Sequence, residues 1–275
     1  SQHRRENHAD RVLVDRTRRL VDDRTKRDGQ PGELTGDRPL HLVVVTGQPV
    51  PDHRLDGLGS PKGQELLARG ASKVYAAARD PATLTLPGVH ALRLDVNNPD
   101  DVAAAAALAT DVTLVINNAG IAQPGGILDA DSEAVARRIF ETNFFGMLRI
   151  SKAFAPILAS QGGGALLNVL SVAPWVSGGG LAAYSASKSA AWSLTNALRI
   201  ELAAQKTQVL ALHMAYVDTD LTRGFDVPKS SPAAIVQRAI DALEAGLDEV
   251  LADELTAQIK AGLGAPRPSY LPQRA

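Results

Sequence analysis

The chain has 275 residues, 45% of them hydrophobic but only 4% aromatic, with a formal net charge of −1. That length suits one large α/β domain or two small ones, and the balanced charge offers no global basic field for nucleic acid or an anionic membrane. The lack of cysteine excludes disulfides, thiolate zinc sites and cysteine nucleophiles together.

Residues 1–37 are crowded with Arg and Asp and close on Gly29-Gln30-Pro31-Gly32. Acid-before-base pairs at i,i+4 (Asp15/Arg19, Asp22/Lys26, Asp23/Arg27) give slight support to a helix. A solvated, flexible extension is the first expectation and a packed arm on a partner subunit the second. A nucleic-acid arm is disfavoured because acids nearly balance the arginines. The charged start has no apolar signal core, and no run of about 18 apolar residues exists to span a bilayer. A cytoplasmic protein with no membrane or nucleic-acid partner is expected.

From residue 38 to 265 the pattern alternates between β and α, and 266–275 reads as a tail. A buried strand is expected over 40–46. Ser60-Pro61 marks a helix start, with Ser at the N-cap and Pro in the first turn. Strands follow at 73–78 and 89–94. Asn98-Pro99-Asp100-Asp101 caps an alanine-rich helix to 109. Further strands are expected at 112–116, 165–170 and 209–213, with a short one at 249–251. The remaining helices are expected at 131–159, 182–204, 232–245 and 252–261. Apolar strands alternating with helices imply a doubly wound, mostly parallel sheet with helices on both faces, a single Rossmann-like α/β domain. Ligands in such sheets sit outside the carboxyl ends of the strands.

Tyr184 and Lys188 are four positions apart within an expected helix, so they share a face one turn from each other. A lysine ammonium there would favour phenolate and pull the tyrosine toward neutrality, fitting it to exchange a proton with an alcohol or carbonyl oxygen. Ser171 ends an apolar run thirteen positions before Tyr184, Asn117-Asn118-Ala119-Gly120 closes an earlier strand, and Asn143 lies in Glu141-Thr142-Asn143-Phe144-Phe145-Gly146.

That set, in order and spacing, resembles the short-chain dehydrogenase/reductase family over about residues 39–260. The resemblance implies an oxidoreductase moving hydride between a nicotinamide and a carbonyl or secondary alcohol. It implies Tyr184 as general acid/base, Lys188 as the residue that lowers its pKa and holds the nicotinamide ribose, Ser171 as a donor to the substrate oxygen, and Asn143 as holder of a water linking Lys188 to solvent. It also implies pairing of the long helices into a homodimer or homotetramer. The six histidines show no metal-ligand spacing, and no metal is expected.

Two stretches depart from the family pattern. The phosphate loop should read Thr-Gly-x-x-x-Gly-x-Gly, whose glycines let backbone approach a pyrophosphate at a helix N-terminus. Thr46-Gly47 is present, but nine residues separate Gly47 from Gly57-Leu58-Gly59, which reads as a six-residue insertion. Either it loops outward and leaves Gly57, Leu58, Gly59 and the helix start to hold phosphate, or it fills the pocket. The second outcome would suit a non-catalytic nucleotide sensor or scaffold. After the sixth strand, Met214-Ala215 replaces the family's Pro-Gly, leaving Val217 and Thr219 as carboxamide contacts. Arg79, ending the second strand, favours NADP(H) over NAD(H), since an arginine there accommodates a 2′-phosphate. Asp95 and Val96 match the adenine-side contact, and Asn118, Ala119 and Gly120 the cofactor-lining segment. Trp175, Val176 and Tyr216 are candidate pocket walls or core residues. The short stretch 224–231 is the expected lid over a carbonyl or alcohol substrate.

Overall fold

The computed structural model describes residues 41–45, 59–178 and 180–271. The expected extension at 1–37 lies outside the described residues, as do Thr46, Gly47, Gly57, Leu58 and the insertion between them. Strands β1 (His41–Val45), β2 (Lys73–Ala78), β3 (His90–Arg93), β4 (Leu114–Asn117), β5 (Gly164–Val169), β6 (Thr207–His213) and β7 (Glu249–Leu251) form one sheet in the order β3-β2-β1-β4-β5-β6-β7. Every pairing is parallel. The chain therefore crosses over every time it moves between neighbouring strands, which needs a helix or long loop on a sheet face.

Helices α1 (Gly59–Ala68), α2 (Pro99–Leu108), α3 (Ser132–Phe140), α4 (Met147–Ser160), α5 (Ala182–Glu201) and α6 (Pro232–Glu244) lie in those crossovers, the β2–β3 connection has only a short 3-10 turn, and α7 (Glu254–Ala261) follows the last strand. Strand alternation divides the core in two. Leu114, Ile116, Leu167, Leu210 and Leu212 pack with Leu66 of α1 and Ile235, Val236 and Ile240 of α6. Val115, Leu166 and Val209 face the other way, onto Val102 of α2, Ile150, Phe154 and Leu158 of α4 and Leu198 of α5. This is the doubly wound, Rossmann-like arrangement expected from the alternating apolar runs. Strand order reverses between β1 and β4, and that switch point opens the crevice where ligands sit.

Local chemistry explains the helix ends. Asn98 caps α2 by accepting from the Asp100 amide, with Pro99 in the first turn. Gly70, at φ 87°, ends α1 in a left-handed turn in which the Ala71 amide reaches back to the Leu66 carbonyl at 2.9 Å. Only glycine adopts that conformation without cost.

The single helix expected over 131–159 is helical from Ser132 to Ser160 but not α-helical throughout. It is α3 and α4 joined by a π-helical turn, Glu141–Gly146. Apolar spacing alone did not reveal the π turn, because Glu141–Gly146 carries the residue types of an ordinary helix. The wide turn delivers Asn143 to the interior, fully buried, as π-bulges often do at functional sites. Gly146 closes it. A Cβ there would lie 2.7 Å from Val96 Cγ2, so α4 can approach the end of β3 only at a glycine.

Candidate active site

Three segments converge at the carboxyl ends of β4 and β5. Ser171 follows β5, Asn143 comes from the π turn, and Tyr184 and Lys188 lie on the first turns of α5. The Ser171 hydroxyl lies near enough to the Tyr184 hydroxyl to favour its phenolate. Ser171 Oγ also accepts from the Ala173 amide at 3.1 Å. Lys188 Nζ donates to the Val169 carbonyl at 2.9 Å and stands 5.8 Å from the centre of the Tyr184 ring. Asn143 Nδ2 donates to the Ile121 carbonyl at 3.0 Å and to Ser187 Oγ at 2.9 Å, and its Oδ1 accepts from the Ile121 amide at 2.8 Å. Ser187 Oγ in turn donates to the Tyr184 carbonyl at 2.7 Å. The four side chains singled out in the sequence are thus brought together, each with a fixed partner.

The electrostatics differ from the sequence expectation. Burial raises the Tyr184 hydroxyl above its ordinary value, and the Ser171 hydroxyl only partly opposes that. Burial also lowers Lys188 to about 8. Each group's charged form is penalised by the same dry surroundings. The ammonium is aimed at the Val169 carbonyl and the ring face. Burial therefore favours the neutral phenol over the phenolate at Tyr184.

Around this centre the cofactor candidates are less uniform. Gly120 leaves a backbone-only surface, where a Cβ would sit 3.5 Å from both Asn143 Oδ1 and Lys188 Nζ. Asn118 and Ala119 lead into it from β4, and Gly59 is the first residue of α1. Arg79 is exposed at the end of β2 and, among the described residues, is held by no hydrogen bond or ion pair. Asp80 does not pair with it; its Oδ1 caps a short 3-10 turn by accepting from the Ala82 amide. Asp95 Oδ1 accepts from the Asn97 amide at 2.9 Å, while Val96 is buried against Gly146. The Val217 carbonyl accepts the hydroxyls of Thr219 and Thr222 in a local turn. Ala215 has no positive φ, so loss of the family's glycine there carries no backbone strain.

These residues fit a dinucleotide. A lysine ammonium and a carboxylate suit ribose hydroxyls, an arginine suits phosphate, and a glycine surface admits a flat ring. Among the described residues no group of His, Asp and Glu could hold a metal ion, and no helix is long and apolar enough to cross a membrane.

Trp175 is not a pocket wall. It is buried, stacked on His213 with ring centres 4.2 Å apart, and edge-on to Trp192. Tyr216 is half-buried and packs on Phe225 at 5.6 Å, inside the segment expected to form the lid. Two functional candidates escaped the sequence reading. Fully buried His213 ends β6 and bonds the Ser171 carbonyl through Nδ1 at 2.7 Å. Asp253 caps α7 and also accepts from the Ala215 amide at 2.8 Å. The Asp253-x-x-Thr256 spacing is a helix-start signal that could have flagged the second. No local signal marks the first.

A parallel sheet with its switch point beside a Ser–Tyr–Lys cluster defines a nucleotide-binding α/β class. The sequence model described as short chain dehydrogenase matches residues 42–228. The chain is 31% identical over 211 residues to 1-deoxy-11-beta-hydroxypentalenate dehydrogenase of Streptomyces exfoliatus, covering 70% of this chain and 74% of that one. It is 31% identical over 204 residues to cis-4-hydroxycyclohexanecarboxylate dehydrogenase of Sinomonas cyclohexanicum, covering 70% and 78%. A short chain dehydrogenase from Burkholderia cenocepacia J2315, solved in complex with NADP, superposes with a TM-score of 0.76 at 37% identity, covering 83% of this chain and 94% of the other. The chain belongs to the short-chain dehydrogenase/reductase family, oxidoreductases that act on CH–OH and C=O groups with NAD(P).

Proposed function

We propose that the protein is an NADP(H)-dependent oxidoreductase that reduces a small carbonyl compound, or oxidises the matching secondary alcohol, with Tyr184 as the general acid/base. The observation that carries this reading is the Ser171 and Tyr184 hydroxyls set near each other beside the buried Lys188 ammonium. A substrate oxygen placed against both hydroxyls accepts one hydrogen bond from Ser171 where negative charge develops and the proton from Tyr184.

Lys188 steadies the phenolate left behind and offers its remaining N–H groups to the nicotinamide ribose. The second lone pair of Asn143 Oδ1 is the place for a water linking Lys188 to solvent. When bound, the nicotinamide supplies or takes up hydride. Gly59, Asn118, Ala119 and Gly120 would form its backbone cradle, with Asp95 and Val96 on the adenine side and Val217 and Thr219 near the carboxamide. Thr46, Gly47, Gly57 and Leu58 are proposed as its phosphate contacts on sequence grounds. Arg79, exposed and unengaged by Asp80, supports NADP(H) over NAD(H). Pairing into a homodimer or homotetramer is part of the same proposal, supported by exposed Phe145 on the π turn and Ile200 on α5.

The test compares NADPH oxidation by the wild type and Tyr184→Phe across a panel of ketones and aldehydes. We expect the variant to fold and to lose about 10²–10⁴-fold in turnover. Equal rates would reject the role of Tyr184. Failure of the wild type to bind NADPH would favour a non-catalytic protein.

A further inference from the structure

We propose that His213 is a positioning residue for Ser171, holding the serine's peptide plane so that its hydroxyl stays against Tyr184. The proposal rests on the proposed function for its catalytic meaning, but the contact itself is a separate matter.

Strand β4 ends at Asn117, opposite Asn168 of β5. Beyond that point the end of β5 and the segment after it run past that neighbour, and two carbonyl oxygens there are taken by side chains. Lys188 Nζ takes Val169 O at 2.9 Å, and His213 Nδ1 takes Ser171 O at 2.7 Å. On the β6 side the main chain still pairs, with the Leu170 amide on Leu212 O and the Val172 amide on Met214 O. Ser171 is thus flanked by two ladder bonds and fixed at its own carbonyl by one imidazole. Because a carbonyl only accepts, Nδ1 must carry the proton. The short bond fixes the backbone that carries the hydroxyl, and the Ala173 amide at 3.1 Å holds the hydroxyl itself.

The surroundings keep the ring in this one form. His213 lies flat on Trp175, which Lys260 covers on the ring face at 5.5 Å. Its Nε2 is buried without a hydrogen bond, 3.5 Å from Glu249 Oε1. A carboxylate so near would draw a second proton onto the ring, but Lys260 is ion-paired with Glu249. Arg199 and Lys188 add further positive charge around it, and burial with these cations holds the imidazole at about 4. A neutral, Nδ1-protonated ring therefore persists through the physiological range.

The experiment has a kinetic and a spectroscopic arm. NADPH turnover with 2,3-butanedione as probe is compared for wild type, His213→Leu, His213→Asn and His213→Gln. Leu keeps bulk and removes the donor. Asn places an amide N–H near the position of Nδ1, and Gln places it near Nε2. We expect Leu and Gln to lose roughly 10–100-fold in kcat, Asn to recover most of it, and KM for NADPH to change little in all three. In a Ser171→Ala background, His213→Leu should have no further effect, because the residue acts through the serine. Should the Leu variant fail to fold, the Asn and Gln pair decides, and equal kcat for those two would overturn the proposal. In the other arm, 15N NMR of histidine-labelled protein should find His213 as the Nδ1–H tautomer and neutral at pH 6. An Nε2–H tautomer, or a proton gained near the ordinary histidine range, overturns the contact whether or not the probe is turned over. A wild type without turnover but with the expected tautomer would instead count against the proposed function.

Discussion

The two halves of the proposed site, one for substrate and one for cofactor, are built differently. On the substrate side, Asn143, Ser171, Tyr184 and Lys188 are buried or half-buried and tied to one another or to nearby backbone. On the cofactor side, Arg79 stands exposed and unpaired among the described residues, and Asp95 spends one carboxylate oxygen on its own loop. The first half holds its geometry without ligand and incurs the desolvation of Tyr184 and Lys188 in doing so. The second keeps charges in water, where they cost nothing until a charged partner arrives. Pre-organisation is concentrated where protons are proposed to move, and adaptable charge where a phosphate would be held.

The largest test of that contrast is pH. Burial holds the Tyr184 proton more tightly than usual, so the group is protonated through neutral and mildly alkaline pH. Carbonyl reduction, which needs the phenol and the Lys188 ammonium, should be nearly flat from pH 6 to about 7.5 and fall as Lys188 loses its proton around pH 8. Alcohol oxidation, which needs the phenolate, should climb about tenfold per pH unit over that span. Initial rates in both directions on one buffer series measure it; an oxidation rate already level at pH 7 would mean that Tyr184 is acidic after all. Lys188 contributes the opposite way to stability. Its value of about 8 lies below the ordinary 10.5, so folding disfavours its charge below pH 8, and that cost is relieved as pH rises from 8 toward 10.5.

This electrostatic point is also where the sequence was least legible. Tyr184 and Lys188 declared their shared face through helical spacing, and Asn98-Pro99 declared its helix start through capping chemistry. Both are local properties. The direction of the Tyr184 shift depends on how dry the pocket is, which follows from packing of segments distant in the chain. The π turn was hidden because Glu141–Gly146 has the residue types of an ordinary helix, and Gly146 signals a close approach only once Val96 stands opposite. His213, at the end of an apolar strand, looks like any terminal strand residue until β5 and β6 are side by side.

A sharper probe of the adaptable half is Arg79→Ala. If the guanidinium serves a 2′-phosphate, its loss should weaken NADPH by roughly 10–100-fold, the worth of a charged hydrogen bond, and leave NADH nearly unchanged. Tyr184 and Lys188 are remote from that end of the crevice, so kcat at saturating cofactor should hold. Steady-state KM values for both cofactors provide the measurement. An equal loss for both would mean that Arg79 does not distinguish them.

The smallest expected effect tests how the two halves are joined. Asp253 accepts from the Thr256 amide and hydroxyl at the start of α7 and from the Ala215 amide in the segment leading to Val217 and Thr219. One carboxylate therefore fixes a helix end and the loop proposed to meet the carboxamide. Asp253→Ala should cost about 0.5–2 kcal/mol as a lost cap. If the cap were its whole role, Asp253→Ser, which can still bond the Thr256 amide, would restore both stability and KM for NADPH. If the bond to Ala215 matters separately, the Ser variant should regain melting temperature but keep a raised KM, because a single hydroxyl cannot span both partners. The separation of those two readouts follows from a side chain with two oxygens facing two different segments, and a variant that recovered both together would reduce Asp253 to a helix cap.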